Sequence, residues 1–131
     1  MSVASVGIQI SPGELIDKIT ILAIKCERMT DQDKLRNVRA ERALLEASLA
    51  ETRAASAELD GLSAELKEVN ERLWEIEDEI RLCEAAEDFG PRFVELARGV
   101  YRNNDRRAEL KRRINQSLGS QIQEEKSYQP Y

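Results

Sequence analysis

Between Leu62 and Cys83 the apolar residues Leu62, Leu66, Val69, Leu73, Ile76, Ile80 and Cys83 follow one another at alternating steps of four and three. At about 100° per residue, an α-helix gathers all of them onto one narrow stripe and leaves the rest of its surface to charge. With Leu66, Leu73 and Ile80 at heptad position a, the others fall at d. Such a seam needs a second helix to cover it, so this period points to an all-α fold.

The neighbouring segments read as helices too. Ser11-Pro12-Gly13-Glu14 sets a capping Ser, Pro at the first helical position and Glu at the third, which is a capping box opening a helix over 11–29. Leu15, Ile16, Ile19, Leu22, Ala23 and Cys26 form one face of it, and Ile21 and Ile24 lie nearly opposite, beside Asp17 and Arg28. A helix apolar on two sides belongs between neighbours, near the centre. Thr30-Asp31-Gln32-Asp33 caps a second helix over 31–57, with Leu35, Val38, Leu45 and Leu49 on one stripe. Asp60-Gly61 marks a turn into the seam helix, 61–86, and the short link makes helices two and three a long antiparallel, coiled-coil-like hairpin. Glu87-Asp88-Phe89-Gly90 breaks the chain, Pro91 opens a fourth helix over 91–118, and Gly119 closes it. Val6, Ile8 and Ile10 alternate, which predicts an extended arm or strand over 1–10; residues 119–131 read as a frayed tail. The expected organisation is a single helical domain, 1–131, of four helices.

Composition removes several kinds of chemistry. The chain has no histidine, which excludes His-based acid–base catalysis, Ser-His-Asp triads and His-containing metal sites. Cys26 and Cys83 fall on apolar helical positions and read as reduced thiols of a cytoplasmic protein. Met1–Ile10 lacks the basic start and apolar run of a signal peptide, and no stretch approaches the roughly 20 apolar residues of a membrane span. A net charge of −5 opposes nucleic-acid binding. That charge is uneven: residues 60–87 hold ten acids against three bases, whereas 91–118 hold eight bases against three acids, so the two segments attract each other within a chain or across a homodimer.

Three stretches carry a family resemblance: Ser11 to Leu22 (SPGELIDKITIL), Leu73 to Asp78 (LWEIED), and Tyr101-Arg102-Asn103-Asn104-Asp105 leading to Glu124-Glu125-Lys126-Ser127-Tyr128. Together they resemble a bacterial family of uncharacterised helical domains, over most of the chain. The resemblance implies a stand-alone helical protein of Gram-negative bacteria, in the setting of lipopolysaccharide or other surface-glycan genes, or of tetratricopeptide and glycosyltransferase proteins. It implies no catalytic residue.

Helix four holds the main anomaly. Its stripe runs through Phe93, Leu96, Ala97, Val100, Ile114 and Leu118, yet Asn104, Arg107 and Lys111 fall inside it. Buried charge costs several kcal/mol unless paired. Three readings follow: an internal polar network, a solvated helix end, or a site for a phosphate or carboxylate held by the Arg fork and the Lys point charge. Asp17 and the residues Asn70, Glu77 and Glu84, seven apart at position e, are the candidate partners. The candidate cluster is Asp17, Glu77, Asn104, Arg107 and Lys111. Trp74, the sole tryptophan, sits at position b and reads as packing under helix one or four or as a contact for a partner.

Glu68, Glu71, Glu75 and Asp78 resemble the carboxylate pairs of all-α nucleotide pyrophosphohydrolases, which bind Mg²⁺. All four sit at c and f of one helix, away from the seam, and read as a solvated face. A chorismate-mutase-like role for Arg28, Arg107 and Lys111 is required by no spacing. No metal site or cofactor is expected. The favoured function is a non-catalytic interaction or accessory protein that forms homo-oligomers and contacts other proteins; the alternative is a small all-α enzyme or binding protein for an anionic or nucleotide ligand.

Overall fold

Ser11 begins the first helix as expected, but its capping box closes on one side only. In the structure, a computed structural model describing residues 5–52 and 56–131, Ser11 Oγ accepts from the Glu14 backbone N–H at 3.2 Å, while the Glu14 carboxylate turns away to Lys111. Four helices follow: α1 (Pro12–Arg28), α2 (Gln32–Ala50), α3 (Ala57–Ala85) and α4 (Pro91–Ser117). Asp31 caps α2 by accepting from the N–H groups of Asp33 and Lys34. Gly119, at φ 63°, ends α4 in a Schellman turn, with the Ser120 N–H on the Asn115 carbonyl at 2.9 Å and the Gly119 N–H on that of Gln116.

The long antiparallel hairpin exists, but its second member is α4, not α2. Arg92 pairs with Glu79 near the tip, Gly99 lies against Ile76, and Arg106 reaches Glu65 towards the base. A Cβ on Gly99 would stand 2.8 Å from Ile76 Cδ1, so the missing side chain lets the helices close up. α2 packs on α1, burying Leu35 and Val38, and lies along neither α3 nor α4. The physical reason is charge and shape together: the acidic α3 meets the basic, apolar-striped α4, whereas α2 has a short stripe that lies on α1 and reaches the common core only through Leu49 near its end.

Three boundaries also differ. Asp60-Gly61 is no turn: α3 starts at Ala57, capped by Ser56 Oγ accepting from the Leu59 N–H at 3.1 Å, and Gly61 sits in its first turns with open space around it. α2 ends at Ala50, seven residues before the expected 57; residues 53–55 of that expected end lie outside the described residues, as do 1–4 of the arm. Residues 5–10 form no strand and are almost wholly exposed, since no sheet edge among the described residues is there to receive them.

The core fills the base of the hairpin. Ile16 of α1 enters between Leu59, Leu62, Leu66 and Val69 of α3 and Leu110 and Ile114 of α4, with Leu49, Leu73 and Leu118 packed around them. α1 touches all three other helices. Towards the tip only α3 and α4 remain, and the seam residues Ile76, Ile80 and Cys83 are half-buried. The described helices include none long and apolar enough to cross a membrane.

Candidate functional site

The site forms where α1 crosses the groove between α3 and α4. Asp17, 0% exposed, projects from α1 into that crossing. Arg107 of α4 meets it with two nitrogens: Nε donates to Oδ1 at 2.9 Å and a terminal nitrogen to Oδ2. Asn70 of α3 completes the shell. Its Nδ2 donates to Asp17 Oδ1 and to Thr20 Oγ1, both at 2.9 Å, and Thr20 in turn donates to the Asp17 carbonyl at 2.7 Å. Three helices are thus tied through one carboxylate. A bidentate guanidinium is the geometry that best offsets the desolvation of a buried carboxylate. The hydrogen bonds from Arg107 to Asp17 outweigh burial and raise the guanidinium pKa above its ordinary value.

One turn further on, Lys111 is 8% exposed and carries two carboxylates. Its Nζ donates to Glu14 of α1 at 2.6 Å and to Glu124 of the tail at 2.8 Å. Burial pulls the ammonium pKa down, the hydrogen bonds to Glu124 and Glu14 push it up, and the net position is above the ordinary value. The same contact with Lys111 holds the Glu124 carboxyl below the usual range. Past Lys111, Asn115 Oδ1 accepts from the Gly13 N–H at 2.7 Å, so a side chain of α4 satisfies a free amide at the start of α1. Gly13 is required there, because a Cβ would lie 2.5 Å from the Lys111 carbonyl oxygen.

Of the residues singled out from sequence, Asp17, Arg107 and Lys111 are brought together. Glu77 is not. It is exposed and accepts from Arg81, one turn along its own helix, at 3.1 Å. The e-position residue that reaches Asp17 is Asn70, because α1 crosses α3 there and not one heptad later. Asn104 is half-buried and makes none of the network's hydrogen bonds among the described residues. Arg28 leaves the cluster altogether for Glu71 and Glu75 on α3, at 3.5 and 3.2 Å.

Sequence reasoning missed Glu14, Thr20, Asn115 and Glu124. Glu14 reads in sequence as a capping-box residue, while Asn115 and Glu124 enter only because α4 and the reversed tail fold back over α1. The tail lies along α4: Glu125 approaches Arg112, Tyr131 donates to Asp105 at 2.6 Å, and its ring meets Tyr101 edge-on. No buried side-chain nitrogen or oxygen among the described residues is left without a partner. No group of three or more potential metal ligands occurs among them either.

Trp74 stands beside this network. It is half-buried and lines a cleft of about 380 Å³ with Ile21, Ile24 and Leu73, where Asn70 and Arg107 of the network meet Glu77, Asp78 and Arg81. A broader depression of about 600 Å³ near Gly61, Glu65 and Arg113 holds none of the buried polar groups.

Comparison with curated proteins and with solved structures returns no match. The profile of a family of unknown function, DUF6165, matches residues 6–131, which takes in all four helices, the Asp17–Arg107 crossing and the tail; the chain belongs to that family.

Proposed function

We propose that the chain is a non-catalytic helical interaction or accessory protein. The observation that carries this reading is the closure of its buried ion network. Arg107 and Lys111, the two cations on the inner stripe of α4, are answered by Asp17, Glu14 and Glu124 of the same chain. Apolar surface stays open elsewhere: Leu82, Phe89 and Val94 near the hairpin tip are 69, 55 and 48% exposed. A closed network fixes how the helices are set; an open apolar surface is what a partner covers. A place in bacterial surface-glycan assembly is supported only by the resemblance of the three sequence strings. A cytoplasmic setting accords with two free thiols. Both a second copy and another protein suit such a surface.

The competing reading, an enzyme or binding protein for an anion or nucleotide, requires Arg107 or Lys111 to exchange a carboxylate of the chain for one of a ligand. Thermal unfolding with nucleotides, sugar nucleotides and inorganic phosphate, with and without Mg²⁺, separates the two. No saturable shift is expected. A ligand at a hundred times its Kd would add about 2.7 kcal/mol, or roughly 10 °C in Tm for a chain of this size. Such a shift, abolished by Lys111→Met, would replace the interaction reading with the ligand one.

A further inference from the structure

We propose that the strip of α4 from Tyr101 to Arg112 docks an extended acidic segment of a partner protein, and that the tail covers this strip in cis until such a segment displaces it. This rests on reading the protein as an interaction module, and adds the surface and the chemistry of what it binds.

One occupant of the strip is already in place. After Gly119 the chain reverses, and residues 121–131 run antiparallel to α4 without helix or strand. Glu124 meets Lys111, Glu125 approaches Arg112, and Tyr131 donates to Asp105 with its ring edge-on to Tyr101. The strip thus receives paired acids at one end and a tyrosine at the other. From Tyr101 to Lys111 the rise is about 15 Å.

The tail is loosely held for what it covers. Residues 121–131 are exposed along their whole length, Ile122, Tyr128 and Tyr131 included, so the tail buries little hydrocarbon. An enclosed void of about 30 Å³ lies between Gln123, Glu124 and Lys126 of the tail and Lys111, Arg112 and Asn115 of α4, which is room for about one water and marks a contact that is not close-packed. Exposed ion pairs contribute little each. Lys111 gives up only one of its two carboxylates when the tail leaves, because Glu14 of α1 stays at 2.6 Å. A segment that covers a buried cation, yet departs without stranding it, is one that another segment can replace.

The strip also decides what replaces the tail. Lys111 and Arg112 attract carboxylates, whereas Asp105 accepts a hydroxyl and repels a continuous polyanion such as nucleic acid. A protein segment with neighbouring acids and a tyrosine several residues on satisfies both ends, as Glu124-Glu125 and Tyr131 do in cis.

The test titrates the full chain into a fluorescent synthetic peptide with the sequence of residues 120–131, read by anisotropy. The double variant Glu124→Gln/Tyr131→Phe loosens the tail and leaves the strip intact. It should bind the peptide about tenfold tighter than the parent, whose strip is free only in the fraction of molecules with the tail off. A peptide with both glutamates replaced by Gln should bind the variant about tenfold more weakly, a gap that narrows as salt rises. Arg112→Gln, added to the double variant, should lower its affinity about fivefold. Arg92→Gln, at the far end of α4, should leave it unchanged, and far-ultraviolet circular dichroism checks that each variant is folded. Equal affinity in parent and double variant, binding by neither, or an equal loss with Arg92→Gln and Arg112→Gln overturns the proposal while the interaction reading stands. So does a parent dimer by sedimentation that the double variant converts to monomer, which would place the tail on a second copy. A saturable nucleotide shift in Tm, abolished by Lys111→Met, would instead remove the interaction reading itself.

Discussion

The two halves of α4 treat one stripe in opposite ways. Towards the base the stripe carries Arg107, Lys111 and Asn115, and the last two are buried. Towards the tip Leu96 is buried, but Phe93, Ala97 and Val100 of the same stripe are half-exposed. At the base charge is covered along with hydrocarbon; at the tip part of the hydrocarbon is left open. The difference teaches that coverage is set by the third helix. Where α1 enters the groove it supplies Asp17 and Glu14, so cations are tolerated beneath it. Where α1 has left, the hairpin stands as a two-helix arm whose seam is only partly closed.

The largest test of that contrast is Arg107→Leu. It strands a carboxylate that is 0% exposed, and urea unfolding should show a loss of about 3–5 kcal/mol. Asp17→Leu should cost less, because the Arg107 side chain is 27% exposed and can turn to water.

Core truncation gives the next contrast. Leu66→Ala, at a 0% exposed position in the base, should cost about 2–5 kcal/mol. Ile80→Ala, on the same seam but half-buried in the arm, should cost about 1 kcal/mol, in line with the partial burial of its side chain. Equal losses at the two sites would mean that the arm is as well covered as the base.

The glycines sharpen the comparison further. Gly13→Ala drives a Cβ into the Lys111 backbone, which cannot move without shifting α4, so a loss of about 1–3 kcal/mol is expected. Gly99→Ala meets only the end of the Ile76 side chain. Its gain of about 1 kcal/mol in helix propensity should leave stability near that of the parent. Thermal unfolding of the pair measures both.

The smallest effect belongs to the tail. The folded pKa of Glu124 is depressed by Lys111, so its contribution is present above the ordinary carboxylate range and is lost as pH falls through the lower folded value. The Glu124 side chain is 48% exposed, and solvent screening limits the effect to about 0.5 kcal/mol. The hydrogen-exchange protection factors of residues 120–131, with the intrinsic pH dependence of exchange divided out, should fall on that acid side in the parent and stay level in Glu124→Gln.

Local chemistry was enough to mark most elements. Ser11-Pro12, Asp31, Pro91 and Gly119 place the ends of α1, α2 and α4 because caps act within one turn of chain. The seam from Leu62 to Cys83 announces α3 because a period of 3.5 is a property of one helix alone. The same stripe count made Arg107 and Lys111 stand out as cations in need of partners. Asp60-Gly61 misled, since a glycine that can turn can also sit in an exposed helix once Ser56 has capped it upstream.

Which helix covers which is another matter. A heptad seam demands a partner without naming one, so α4 in place of α2 was decided by long-range charge and by the reach of the chain. The choice of Asn70 over Glu77 at Asp17 depended on the angle at which α1 crosses α3, and that angle is set by how whole faces interdigitate. Sequence determined the helices and their unmatched charges; only the tertiary structure decided which acids answer them, because a partner ninety residues away is near only after the groove has closed.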